Sequence, residues 1–146
     1  MRLLLLLLPL TLTGQLTACL NGGVNLLSGP HRWGHSMSAE LAYATAPDPV
    51  SLIATAGIGH YGHTARDVRH RDPVALALSG LRAGSWSLLS GGYFTSRTWR
   101  YLFRLEKAWW LSERYDVLLR LERLVVARRD GSGQYNFTVG LTHHFT

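Results

Sequence analysis

Seven histidines, nine carboxylates and one cysteine are the residues best suited to chemistry in these 146 residues. His35 and Ser36 are neighbours, so on a strand they point to opposite faces and cannot form a base and nucleophile pair. His60-x-x-His63 could offer two metal ligands, with His31, His35 and His70 near it in the early connections. A metal site needs three or four converging donors with a supporting shell, and few carboxylates stand close by. The sequence therefore predicts no catalytic site, metal or cofactor, and leaves these imidazoles as loop groups that would charge together near pH 6.

The charged residues give a sharper signal. If Ser112-Glu113-Arg114 is a turn centred on Glu113, residues whose numbers sum to 226 face each other. Arg104 then meets Glu122 and Glu106 meets Arg120, two opposite-sign pairs on one face of a hairpin. Such neutralised pairs suit burial.

The elements that must position these groups have period two. Met37, Ala39, Leu41 and Tyr43 alternate with Ser38, Glu40 and Ala42; Val50 to Ile58, Val74 to Leu78, Tyr101 to Trp109, Val117 to Leu121 and Tyr135 to Phe145 repeat the pattern. Trp86 to Thr95 is β-prone with ambiguous facing, and a weak, glycine-rich strand is expected near Gly22–Ser28. That makes about eight strands. Short and long connections alternate, as in an all-β, antiparallel, up-and-down barrel.

Alternation alone fits a soluble barrel as well as a transmembrane one. Trp99 and Tyr101 at one end of a strand and Trp109 and Trp110 at the other suit two membrane interfaces, about 23 Å apart at ~3.3 Å rise and ~45° tilt. The small residues Ser38, Ala42, Ala44, Thr55, Gly57, Gly59, Ala75, Ala77 and Ser79 suit the inside of a narrow barrel. Lys107 and Arg123 oppose this reading: both fall on the lipid-facing row, Lys107 near mid-depth, where a lysine costs about 2–4 kcal/mol.

Met1-Arg2 followed by Leu3 to Leu12 resembles a signal peptide, and Leu16-Thr17-Ala18-Cys19 resembles the bacterial lipobox. The resemblance implies a leader over residues 1–18, a mature domain over 19–146 and a lipid on Cys19; Leu20, rather than an aspartate, implies sorting to the outer membrane. Thr138-x-Gly140-x-x-His143-x-Phe145 resembles the C-terminal signal read by the outer-membrane assembly machinery, with His143 in place of a hydrophobe and Thr146 following Phe145. The whole resembles the small eight-stranded class typified by the outer-membrane protein X family. Eight-stranded barrels include lipid A deacylases, whose His-x-Ser is not matched by His143-His144-Phe145.

The net charge is +6. With one lysine and an exported leader, the expected partner is outer-membrane lipid rather than nucleic acid. Arg66, Arg69, Arg71, Arg97, Arg100, Arg128 and Arg129 fall in the outer connections, where guanidinium forks suit lipopolysaccharide phosphates. The expectation is a structural or interaction barrel of the Gram-negative outer membrane, filled by side chains, with envelope proteins or further copies as other partners. Its rivals are a soluble periplasmic lipoprotein barrel holding a small apolar ligand, and an oligomerising barrel related to exopolysaccharide export.

Overall fold

The computed structural model describes residues 14–27, 33–45, 49–61, 73–95, 99–125 and 133–145. They form eight antiparallel strands: β1 (Gln15–Leu27), β2 (Trp33–Ala44), β3 (Val50–Tyr61), β4 (Val74–Ala83), β5 (Trp86–Phe94), β6 (Trp99–Ser112), β7 (Tyr115–Val125) and β8 (Gly133–His144). Each pairs with its sequence neighbours, and β8 closes on β1. Backbone donors and acceptors along the strands are thereby satisfied without a free sheet edge, which is what closure achieves.

The register fixes the barrel's geometry. Paired residues lead from Cys19 through Glu40, Gly57, Leu76 and Tyr93 to Arg100 on β6. In the other direction they lead through Thr142 and Asp116 to Trp110. The offset from 100 to 110 is a shear of ten residues, which tilts the strands by about 40°. Neighbouring strands consequently end at different heights. β6 runs for 14 residues and β5 for nine, so the lower part of β6 extends past the start of β5.

Two tight turns lie at the short-connection end. At β4–β5, Gly84 adopts φ +56°, a conformation open to glycine. At β6–β7 a bulge between Trp110 and Ser112 precedes Glu113-Arg114.

Alternation sorts residues mostly by polarity, with one strand facing opposite to expectation. The outer surface exposes Leu20, Met37, Leu41, Leu52, Ile58, Leu88, Leu105, Val139 and Leu141, among many others. Inside lie Glu40, Arg104, Glu106, Arg120, Glu122, Asn136 and Thr138. The exception is β4. Val74, Leu76 and Leu78 point inward, and Ala75, Ala77 and Ser79 outward, the reverse of the expected facing. They pack with Ile53, Leu89, Tyr93, Leu102 and Leu124 into an apolar cluster inside the barrel. Gly91, opposite Leu78, keeps that wall thin, because a Cβ there would stand 2.1 Å from the Ala77 carbonyl oxygen. The large inward residues of β4 therefore fill space that small residues would leave empty.

The first strand also differs from expectation. It begins at Gln15 rather than near Gly22, and pairs along its length with β2 and β8. Cys19 lies within it, side chain inward and buried.

Candidate functional site

The polar interior is organised around Arg104. β6 and β2 stand on opposite walls, four strands apart in the ring. Arg104 crosses the lumen to Glu40: Nη1 donates to Oε2 at 2.5 Å and Nη2 to Oε1 at 2.9 Å, a bidentate fork. Its Nε donates to Glu122 Oε1 at 2.7 Å, and Glu106 Oε1 lies 3.5 Å from Nη1. Arg120 Nη1 donates to Glu40 Oε1 at 2.9 Å. Arg120 Nε lies 2.6 Å from Glu106 Oε1, an ion pair by distance without an aligned N–H. All five side chains are buried, Arg104 to 1% exposure.

The neutral neighbours complete the coordination. Ser38 Oγ and Thr55 Oγ1 donate to Glu40, so its two oxygens receive five donors in all. A carboxylate offers about four lone-pair sites, so the three donors on Oε1 share two of them. Asn136 Nδ2 donates to Glu122 Oε2 at 3.0 Å, and Gln134 Nε2 to Asn136 Oδ1. From Ser38 the chain continues to Asn21 and Cys19. One hydrogen-bonded network therefore ties β1, β2, β3, β6, β7 and β8 through the middle of the barrel. Two glycines make room for it: a Cβ on Gly57 would stand 2.5 Å from Glu40 Cγ, and one on Gly140 1.9 Å from Asn21 Oδ1.

The register pairs Arg104 with Glu122 and Glu106 with Arg120, the arrangement that symmetry about Glu113 requires. Sequence reasoning missed Glu40 as the hub. It was visible only as an acidic residue on an otherwise small and polar row, and its partners lie 64 and 80 residues away.

A second polar group sits toward the short-turn end. His144 Nε2 lies 2.9 Å from Asp116 Oδ2, and Arg82 Nη2 4.0 Å from the same oxygen. The pair resembles the base and orienter of a hydrolase, but no described hydroxyl or thiol meets His144 Nδ1.

The remaining expected residues fall as follows. Trp99, Tyr101 and Trp109 lie on the outward row, the first two in edge-to-face contact. Trp110 falls on the inward row by alternation, yet is 75% exposed because β6 has outrun β5 there. Arg100 belongs to β6 rather than to a connection, and shares the inward row opposite Tyr93. Arg66, Arg69, Arg71, Arg97, Arg128 and Arg129 lie outside the described residues, as do His31, His63 and His70. His35 and His60 sit at outer strand ends with rings 5.4 Å apart. Phe145 is exposed, packs edge-on against His143, and its N–H donates to the Leu16 carbonyl.

Shear brings Lys107 level with the β4–β5 turn, where it pairs with Trp86 and donates to Ser85 Oγ. Arg123 lies over the Tyr135 ring at 5.7 Å, a cation–π contact on the outer face. Cys19 Sγ donates to Asn21 Oδ1 inside the barrel, so a lipid on that sulfur would require the lower part of β1 to leave this arrangement.

A concavity of about 520 Å³ lies on the outer face, where Ala18, Ala39 and Ala56 are bordered by Leu20, Leu41, Ile58 and Leu141. It follows from small residues on adjacent strands and is almost wholly apolar. No family model matches the sequence, and no curated protein matches it.

Proposed function

We propose that this chain is a transmembrane barrel of the bacterial outer membrane, closed to passage by its own side chains, with a structural or interaction role. The observation that carries the reading is the inversion of polarity: the outer face exposes large apolar residues on every strand, while Glu40, Arg104, Glu106, Arg120 and Glu122 meet inside. In water that surface would be an aggregation hazard, and in a bilayer it is a matched one. Strands of nine to fourteen residues suit a tilted crossing. The Glu40–Arg104 bridge spans the lumen, which argues against an open pore. A soluble calyx for an apolar ligand would need the opposite distribution.

Even strand number puts the start of β1 and the end of β8 at the short-turn end, which this reading assigns to the periplasm. The arginine-rich outer connections then face lipopolysaccharide, and the Gly140 to Phe145 segment presents the assembly signal. Electrophoresis of the membrane-extracted protein with and without boiling tests the reading. The expected result is a faster band when unboiled, from a barrel that detergent leaves closed. Release into buffer without detergent, with one unchanged band, would contradict it.

A further inference from the structure

Lys107 is the only lysine in the chain and stands on the outward row, between Leu105 and Trp109. Its ammonium lies 4.8 Å from the Trp86 ring centroid and 6.0 Å from that of Trp109. Ser85 Oγ accepts one of its protons. Trp86 and Trp109 are about half exposed, and both carry an indole N–H suited to the headgroup level. No described carboxylate pairs with this ammonium. The inner-facing Asp116 is engaged by His144 and Arg82, and the luminal glutamates are engaged by the buried arginines.

A cation on a lipid-facing row requires compensation, which two indole faces supply only in part. Its height, level with the β4–β5 turn, puts the rest within reach of a headgroup. Resting on the membrane reading above, we propose that Lys107, Ser85, Trp86 and Trp109 form a site for the phosphate of an anionic phospholipid in the inner leaflet. Lys107 supplies the charge, and the hydroxyl of Ser85 orients it. The indoles frame the ammonium, flank the glycerol region and exclude water. The ligand is a phosphodiester attached to acyl chains, because the framing surfaces are apolar and continue down the outer wall.

Native mass spectrometry of the protein released from bilayer nanodiscs of phosphatidylcholine and phosphatidylglycerol tests the site. The wild-type protein should hold one phosphatidylglycerol at collision energies that strip phosphatidylcholine. Lys107→Gln should lower that retention about fivefold, the equivalent of roughly 1 kcal/mol for one juxtamembrane cation. Trp86→Leu, which keeps the charge, should lower it by a smaller factor. Equal retention of the two lipids by the wild type, or unchanged retention in Lys107→Gln, would overturn the site while leaving the barrel's membrane insertion intact. Failure of the wild type to enter nanodiscs would overturn both readings, and the mixed unboiled and boiled gel shows which variants are folded.

Discussion

The two walls of the barrel interior solve the same packing problem with different chemistry. The wall formed by β3, β4 and β5 supplies Ile53, Val74, Leu76, Leu78, Leu89 and Tyr93, which pack against Leu102 and Leu124. The wall formed by β8, β1 and β2 supplies amides, hydroxyls and Glu40: Glu40 binds the arginines of β6 and β7, Asn136 donates to Glu122, and Ser38 donates to Glu40. The two walls meet on β6, where Leu102 and Arg104 occupy successive inward positions at 0% and 1% exposure. The difference teaches that the inside of a narrow barrel need not be polar. It must be filled, and whatever is polar must be paired.

Arg104→Met breaks the polar half most severely. It removes the cation that Glu40, Glu106 and Glu122 share, and should cost about 3–5 kcal/mol in denaturant unfolding of the refolded barrel. The double variant Arg104→Met with Glu40→Met removes one charge of each sign, so its cost should fall below the sum of the two single costs. Leu102→Ala probes the apolar half two residues away, and should cost about 2–5 kcal/mol by leaving a cavity. A negligible cost for Leu102→Ala would mean that the apolar wall is loosely filled and the ion network alone holds the barrel.

Leu121→Arg tests the outside against the inside. Leu121 faces outward midway along β7, paired with Leu105 and Phe137. In a bilayer the change should cost about 2–4 kcal/mol, whereas on a water-facing surface it should fall within about 0.5 kcal/mol. The comparison of unfolding midpoints in lipid vesicles decides between them. Gly57→Ala should have the smallest of these effects, about 1–3 kcal/mol. A methyl there would stand 2.4 Å from the Ala39 carbonyl oxygen and 2.5 Å from Glu40 Cγ, so it strains the wall and displaces the hub together. Circular dichroism melting of the two proteins in the same detergent checks it.

The two walls also differed in how far the sequence disclosed them. β6 to β8 were legible because charges mirrored about Glu113 fixed the register, and unbroken alternation from Tyr135 to Phe145 fixed the facing. β4 was not, because both its rows are apolar: alanine on one, leucine and valine on the other. Hydropathy contrast cannot orient such a strand: size alone suggests the larger residues outward, and the structure turns them inward. The usable signal was in the neighbour. Placing Trp86 on the outer belt, across the Gly84-Ser85 turn, sets its partner Ala83 outward and so turns Leu78 and Leu76 inward. Glu40 escaped for another reason. Strand-neighbour pairing already neutralised the arginines, and contacts across a lumen leave no trace in local spacing. The neighbourhood of Lys107 was not legible because the shear that sets Trp86 opposite it is not written in the spacing of β6.

The single cysteine makes the central claim directly measurable. In a Cys19→Ser background, one cysteine at a time is placed along β8 from Tyr135 to His143, spin-labelled, and compared for collision with oxygen and with a water-soluble nickel chelate in lipid vesicles. The account predicts that labels at Tyr135, Phe137, Val139 and Leu141 meet oxygen freely and the chelate little, while labels at Asn136 and Thr138 are immobile and shielded from both. Free access of the chelate to the odd positions would place that face in water and contradict the membrane barrel.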